Sequence, residues 1–467
     1  MSETYDVAIL GAGSAGYACA LRAAQLGLSV ALVDQSAVGG TCLHRGCIPT
    51  KAWLQAAEVR RTVAAAPGFG IGATVGDVDA VQLGRYADGL VRSLHRGLEG
   101  LLKARGVHTI AERGRIVADE RGPGIELGAK VLRAKAVVLA TGAAPQTLGL
   151  NVDGERIVTS EHALRLDALP ERAVVLGGGV IGVEFASAWV DLGVAVTLIE
   201  AEDRLLPAEE PPSSAVVAKE LARRGVDLRL GTAMTSATVD GDQVRVEAGG
   251  ETITADLLLV AVGRKPALDD LGLAEAGIDA EGGWVVVDEN LRTSVPGIFA
   301  AGDVVAGPQL AHRGYAHGMF LAEHIAAAAG AWPGRPVLPK DHHIARIVYS
   351  SPQVASVGLT TAQAEATGPV ESATFPLAGN GKALIARAPG ERETGMVTIL
   401  RRPTGEIVGV HAVGEHISEL IAEGALLVGW QATVEDLAEI VHPHPTLGEA
   451  LGEAAMSLGG RGLHTHT

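Results

Sequence analysis

A thirty-residue pattern occurs twice in this chain, 166 positions apart. The first copy, YDVAILGAGSAGYACALRAAQLGLSVALVD, runs from Tyr5 to Asp34, and the second, ERAVVLGGGVIGVEFASAWVDLGVAVTLIE, from Glu171 to Glu200. Each reads as an apolar strand, a glycine turn, a helix and a second strand ending in an acid. Strands joined through a helix pair in parallel with the helix covering one face, so the repeat predicts an α/β fold. The glycines fall at Gly11, Gly13 and Gly16 and again at Gly177, Gly179 and Gly182. The first of each set permits a tight turn, the second lets backbone approach a pyrophosphate, and the third lets helix and strand pack closely. Amides at the helix N-terminus supply donors for that phosphate. Two Rossmann-like dinucleotide-binding domains are expected, with Asp34 and Glu200 as acceptors for ribose hydroxyls. A carboxylate at Glu200 repels a 2′-phosphate, which predicts NAD over NADP in the second site. Arg204 is read as a surface ion-pair partner of Glu202 or Asp203.

At 467 residues the chain has room for three domains of ordinary size. Residues 79–105 read as a helix, and 115–145 as short antiparallel strands followed by a buried strand that ends at the glycine of ATGAAP. TADLLLVAVGRKP repeats that strand-then-glycine ending, which extends the duplication. From about residue 342 the glycine turns stop. Alternation in RIVYSSPQVASVGL and MVTILRRPTGEIVGVHAVG then predicts an antiparallel sheet, with helices in HISELIAEGALLVGW and TVEDLAEIV. The boundaries are set at 1–147 with 268–341, 148–267, and 342–467. Residues 326–339 read as a linker and 459–467 as a mobile tail.

The formal net charge of −16 opposes an extended nucleic-acid surface, which needs concentrated Lys and Arg. The apolar runs are too short or interrupted to span a bilayer, and no signal-peptide pattern opens the chain. A cytoplasmic protein is expected. Only Cys19, Cys42 and Cys47 are present, too few for a secreted disulfide scaffold. No further cysteine lies at metal-ligand spacing, and no metal is expected.

Cys42 and Cys47 lie five apart in GGTCLHRGCIPTK, residues 39–51. In a regular helix that spacing is about 7.5 Å of rise, beyond the roughly 7 Å between Cα atoms that a disulfide bridges. Gly46 and Pro49 suit a loop or a strained first turn, where the thiols approach and helix amides stabilise a thiolate. A redox-active pair is the predicted role. Cys19, on the alanine-rich face of the first helix, reads as core filler.

GGTCLHRGCIPTK, GAGSAG, GGGVIGVEFAS, GIFAAGDV at 297–304 and HPHPTLGE at 442–449 together resemble the pyridine nucleotide-disulfide oxidoreductases over essentially the whole length. Within that family the chain is most similar to the branch that oxidises dihydrolipoamide. The resemblance implies FAD in the first cradle, NAD in the second, and a C-terminal α+β dimerisation domain built on the antiparallel sheet. It implies that Cys42 exchanges with substrate and Cys47 sits against the flavin, with Lys51 and Glu184 near the reactive ring and Asp303 on the ribitol side. Further nucleotide contacts are implied for Gly40 and Thr41, Thr141 and Gly142, Gly263 and Arg264, and Gly302. His444 and Glu449 match the acid–base pair. Independent chemistry agrees, because a dithiol must lose protons to attack a disulfide, imidazole titrates in the needed range, and a carboxylate orients it. His442, His464 and His466 are read as surface residues. Asp34, Trp53, Pro443 and Gly448 depart from the family pattern.

The implied reaction passes electrons from dihydrolipoamide, carried by a lipoyl-bearing protein of a 2-oxoacid dehydrogenase or glycine-cleavage complex, through a Cys42–Cys47 disulfide and FAD to NAD+. The implied assembly is a homodimer in which His444 lies far from its own Cys47 and close to the other chain's. Related readings are a mycothione or glutathione reductase, and a flavoprotein that docks without turning over. The absence of cysteine after Cys47 opposes the types that use a C-terminal redox pair.

Overall fold

The computed structural model describes residues 4–464. The chain divides into two compact units. The first comprises residues up to Pro49, Arg85–Gln146 and Arg264–Asp341; the second comprises Thr50–Gly84, Thr147–Gly263 and the chain from His342.

In the first unit a parallel sheet runs in the order His108–Ile110, Val30–Val33, Tyr5–Leu10, Lys130–Leu139, with Ile298–Ala300 beside the last. Val7 pairs with both Val30 and Ala136, so the opening strand of the repeat is central. Its apolar run is continuous because both faces are covered: Val7, Ala8 and Ile9 are fully buried. Lys130–Leu139 also pairs antiparallel with Gly122–Leu127, which pairs with Arg115–Asp119, giving the expected short meander. Helices Ser14–Gln25 and Ala311–Ala328 pack together at very short range. A Cβ on Gly318 would collide with the Ala15 carbonyl, so the contact requires glycine there.

The second unit repeats the plan. Its parallel sheet has the order Asp227–Arg229, Ala195–Ile199, Arg172–Leu176, Leu257–Val260, Ile157–Thr159, again with a three-stranded meander, here Met234–Asp240, Gln243–Ala248 and Glu251–Ala255. The predicted antiparallel sheet follows in the order Arg346–Val348, Gln353–Gly358, Ile407–Gly414, Met396–Arg401, Glu371–Pro376. Helix Ile417–Gly429 lies on it through buried Ile417, Ile421 and Val428, and Gly424 admits the side chains of Val357 and Val410. The helix expected in TVEDLAEIV is only Val434–Ala438, capped by Thr433 and Asp436. Among the described residues no helix is long and apolar enough to cross a membrane.

Candidate active site

Where a loop or strained first turn is expected, the two cysteines lie on separate helices with a one-residue break between them. Cys42 belongs to helix Gly40–Arg45 and Cys47 opens helix Cys47–Ala65, with Gly46 between them at φ −139° and ψ −115°. Cys42 is half-buried and Cys47 exposed. Cys47 therefore stands at a helix N-terminus, where the dipole favours a thiolate. Cys19 is fully buried, and burial pushes its thiol up to about 12, which makes it inert.

The three glycines of each cradle have separable reasons. Gly11 and Gly177 adopt φ of 104° and 108°, open mainly to glycine. Gly16 and Gly182 are required by packing, since a Cβ on either would strike the carbonyl of Gly11 or Gly177. Gly13 and Gly179 have ordinary φ values of −73° and −74°. A Cβ on Gly13 would meet nothing nearer than 4.0 Å, and one on Gly179 nothing within 4 Å. Protein packing gives no reason for glycine at these two positions. A Cβ there would project into open space before a helix N-terminus, the space a pyrophosphate needs, so both cradles fit a dinucleotide.

The two acids close their cradles in the same way. Asp34 Oδ2 accepts from Ala12 N–H at 2.7 Å and Oδ1 from Ser36 N–H at 2.7 Å. Glu200 Oε2 accepts from Gly178 N–H at 2.5 Å and Oε1 from Glu202 N–H at 2.8 Å. The longer glutamate needs extra room: a Cβ on Gly178 would come within 3.0 Å of the Glu200 side chain and 2.7 Å of Leu205. The shorter Asp34 tolerates Ala12 at the equivalent position. The departure at Asp34 is thus matched inside its own cradle. Arg204 does not form the predicted ion pair; its guanidinium donates to the carbonyls of Pro207 and Glu209, at 2.7 and 2.8 Å, and is committed to shaping that loop.

Thr141 and Gly142 follow the strand Lys130–Leu139, and Thr141 Oγ1 donates to the Ala267 carbonyl at 2.9 Å. Gly142 and Gly263 both have positive φ. Arg264 lies in the strand Arg264–Pro266, which pairs with Ala143–Pro145, and donates to the Ala143 carbonyl. Gly302 N–H donates to His317 Nδ1 at 3.3 Å. Burial, the leading cause, lifts the Asp303 carboxyl above its usual range, while Arg264 and Arg313 pull it back. Gly40, at φ 61°, abuts Gly13 and is followed by Thr41 in the helix bearing Cys42.

Lys51 and Glu184 form one unit. Lys51 Nζ lies 3.0 and 2.9 Å from the two Glu184 carboxylate oxygens and 4.7 Å from the centre of the Tyr349 ring. Tyr349 N–H donates to the same carboxylate at 2.9 Å. Glu184 is buried, so loss of Lys51 would leave a desolvated charge short of its cation.

His444 Nδ1 lies 2.8 Å from Glu449 Oε1, and Thr446 N–H donates to Glu449 Oε2 at 2.8 Å. Both carboxylate oxygens are held. With Nδ1–H donating to Glu449, Nε2 is the basic nitrogen, on a side chain that is 76% exposed. His442 corrects the surface reading: its side chain is 9% exposed and its Nε2 lies 2.9 Å from Glu423. A Cβ on Gly452 would come within 2.8 Å of that ring and one on Gly448 within 3.3 Å, so the glycines make its slot. His464 is exposed as expected but pairs with Glu453, while His466 lies outside the described residues.

The pyridine nucleotide-disulphide oxidoreductase family matches residues 5–318, and its dimerisation domain matches residues 344–455. The chain belongs to this family. It is similar to a dihydrolipoyl dehydrogenase of Bacillus subtilis, 38% identical with 99% of this chain and 100% of the relative covered. One from Thermus scotoductus is also 38% identical, with 99% of each covered. Among solved structures, LpdA from Mycobacterium tuberculosis superposes with a TM-score of 0.88 at 30% identity, covering 97% of this chain and 99% of that one. The HOCl-induced flavoprotein disulfide reductase RclA from Escherichia coli gives 0.84 at 25% identity, covering 97% and 99%.

In this pyridine nucleotide-disulphide oxidoreductase the structure also brings together residues that no sequence motif connects. Tyr17 and Tyr315, 298 positions apart, share a hydrogen bond of 2.8 Å. His44, between the two cysteines, lies with its ring 5.0 Å from that of His95. Neither pairing left a sequence signal, since each joins residues from separate segments.

Proposed function

We propose that this chain is a dihydrolipoyl dehydrogenase: it oxidises protein-bound dihydrolipoamide through a Cys42–Cys47 disulfide and delivers the electrons to NAD+. The observation that carries the reading is the thiol pair set across a helix break, adjoining the first glycine cradle through Gly40 and Gly13. The full-length likeness to dihydrolipoyl dehydrogenases supports the substrate, and the dimerisation domain supports a homodimer.

Gly11, Gly13, Gly16 and Asp34 would hold the FAD nucleotide, with Asp303, Arg264, Thr141 and Lys51 toward the rest of it. Bound FAD supplies an electron-pair carrier between the thiol pair and nicotinamide. His444 Nε2 takes the proton of a substrate thiol, and the resulting thiolate attacks Cys42 Sγ. The Cys42–Cys47 bond breaks, and Cys47 leaves as a thiolate favoured by its helix N-terminus. The second substrate thiolate displaces Cys42, closing the substrate disulfide. Two electrons have left the substrate, and the enzyme holds a dithiol. Glu449 fixes the tautomer of His444 and stabilises its cation.

Gly177, Gly179, Gly182 and Glu200 would hold NAD. The proposed domain assignment is FAD binding by 1–147 with 268–341, NAD binding by 148–267 and dimerisation by 342–467. The partner is a lipoyl-bearing protein of a 2-oxoacid dehydrogenase or glycine-cleavage complex, and the location is the cytoplasm.

Steady-state rates with NADH and NADPH against lipoamide and glutathione test the reading. Rapid lipoamide turnover with NADH is expected; preferential glutathione reduction would overturn it. Glu200→Ala removes both the cradle bond to Gly178 and the ribose acceptor. It should raise KM for NADH by about tenfold or more, the scale of an unsatisfied buried donor, and narrow the preference over NADPH. An unchanged KM would displace Glu200 from the site.

A further inference from the structure

We propose that the Tyr17–Tyr315 pair is a positioning device for the exchanging thiol, with Tyr17 donating to Tyr315 and the Tyr315 hydroxyl hydrogen stabilising negative charge on Cys42. The proposal rests on the reading of Cys42 and Cys47 as the exchanging pair.

The placement follows from two backbone sutures. Gly39 N–H donates to the Ala12 carbonyl at 2.8 Å, and a Cβ on Gly40 would come within 2.6 Å of Gly13 Cα. These lock the start of the Cys42 helix to the start of helix Ser14–Gln25. Cys42 lies two residues beyond Gly40, and Tyr17, whose N–H donates to the Gly13 carbonyl at 2.9 Å, lies in the facing first turn. Helix Ala311–Ala328 brings up the second phenol. A Cβ on Gly314 would come within 2.7 Å of Ser14 Oγ, and the next residue is Tyr315. The two rings lie 5.6 Å apart, tilted by 50°, and both are half-buried.

The direction of the hydrogen bond matters. Tyr17 donates and the Tyr315 oxygen accepts, which makes the remaining Tyr315 O–H a stronger donor. Burial first, then the bond to Tyr315 and charge on Cys42, push the Tyr17 hydroxyl far above its ordinary range. Burial, with charge on Cys42 and Cys47, raises Tyr315 as well, against the opposing effect of the Tyr17 bond. Both phenols therefore keep their protons where thiols exchange. Next to a thiolate they are donors rather than competing anions, and a donor to the charged form lowers the thiol pKa.

The test is the pH dependence of iodoacetamide labelling at Cys42 in NADH-reduced holoenzyme, followed by peptide mass spectrometry. Tyr315→Phe keeps the ring and removes the donor. Its labelling midpoint should rise by about one pH unit, so labelling below the wild-type midpoint slows by about tenfold. Tyr17→Phe, which removes the polarising bond alone, should shift it in the same direction by less. A midpoint unmoved in Tyr315→Phe overturns the proposal, and so does one unmoved in Tyr17→Phe should the first variant not retain flavin. If wild-type enzyme gives no labelling at Cys42 after NADH reduction, the exchanging-thiol reading falls and this proposal with it. Normal wild-type labelling with an unmoved variant removes only the tyrosine pair.

Discussion

Cys47→Ser should cut NAD+ reduction by dihydrolipoamide by at least about 10⁴-fold, the scale of loss when a member of a nucleophilic unit is removed. Serine differs by one atom and preserves the start of helix Cys47–Ala65, so folding and flavin content should be retained. In the proposed mechanism, what disappears is the sulfur that leaves as a stabilised anion at a helix N-terminus and closes the disulfide again. A hydroxyl can do neither. The check pairs lipoamide turnover with a count of reactive thiols before and after NADH: two should appear in the wild type and no new pair in the variant. Cys19→Ala supplies the contrast, because that thiol is fully buried and held near its protonated form. Lipoamide turnover that survives Cys47→Ser would end the disulfide mechanism.

Much of this organisation is legible in the sequence, and the reason is steric. Gly11, Gly16, Gly177 and Gly182 are glycines because a positive φ or a carbonyl forbids a Cβ. Such constraints act over five residues and leave a fixed spacing in the sequence. The departure from regular helix between the cysteines is legible too, since five residues of regular helix cannot bring two sulfurs within bonding range, although its form, a single residue between two helices, is not. Contacts between distant segments leave no such spacing. Lys51 and Glu184 were each expected near the flavin, yet their direct pairing depends on helices from segments over a hundred residues apart. His442 was misread because histidine near a chain end is commonly exposed; its slot is made by Gly448 and Gly452, which have meaning only once helix Glu449–Leu458 folds back on it. Arg204 was misread because neighbouring acids suggest an ion pair, whereas unpaired loop carbonyls are stronger claims on a guanidinium near the backbone. The middle glycines are the instructive case. Sequence assigned them to a ligand, and the structure supplies the complementary fact that the protein itself has no use for them.

His444→Gln should lower turnover with dihydrolipoamide by about 10²–10⁴-fold, the usual contribution of a positioned base. NADH oxidation by ferricyanide, which needs no thiol deprotonation, should be little changed. Glutamine can still donate to Glu449 but cannot accept and release a proton near neutrality. Glu449 itself stays ionised: the Thr446 N–H is the largest influence on its carboxyl and, with the bond and charge of His444, holds it below the usual range against the opposing effect of burial. Because that folded-state value is depressed, the carboxylate's hold on the loop is complete above the ordinary carboxylate pKa. It is lost only as pH falls through the lowered value. The exposed Nε2 needs a sulfur to act on, and in the proposed homodimer that sulfur belongs to the other subunit. Mixed dimers decide this. In a purified heterodimer of one Cys47→Ser chain and one His444→Gln chain, a cross-subunit arrangement leaves one site with neither substituted residue and one with both. About half of wild-type activity should return, although each homodimer is nearly dead. A base acting on its own chain's cysteines would leave every site damaged, and the heterodimer would be as inactive as its parents.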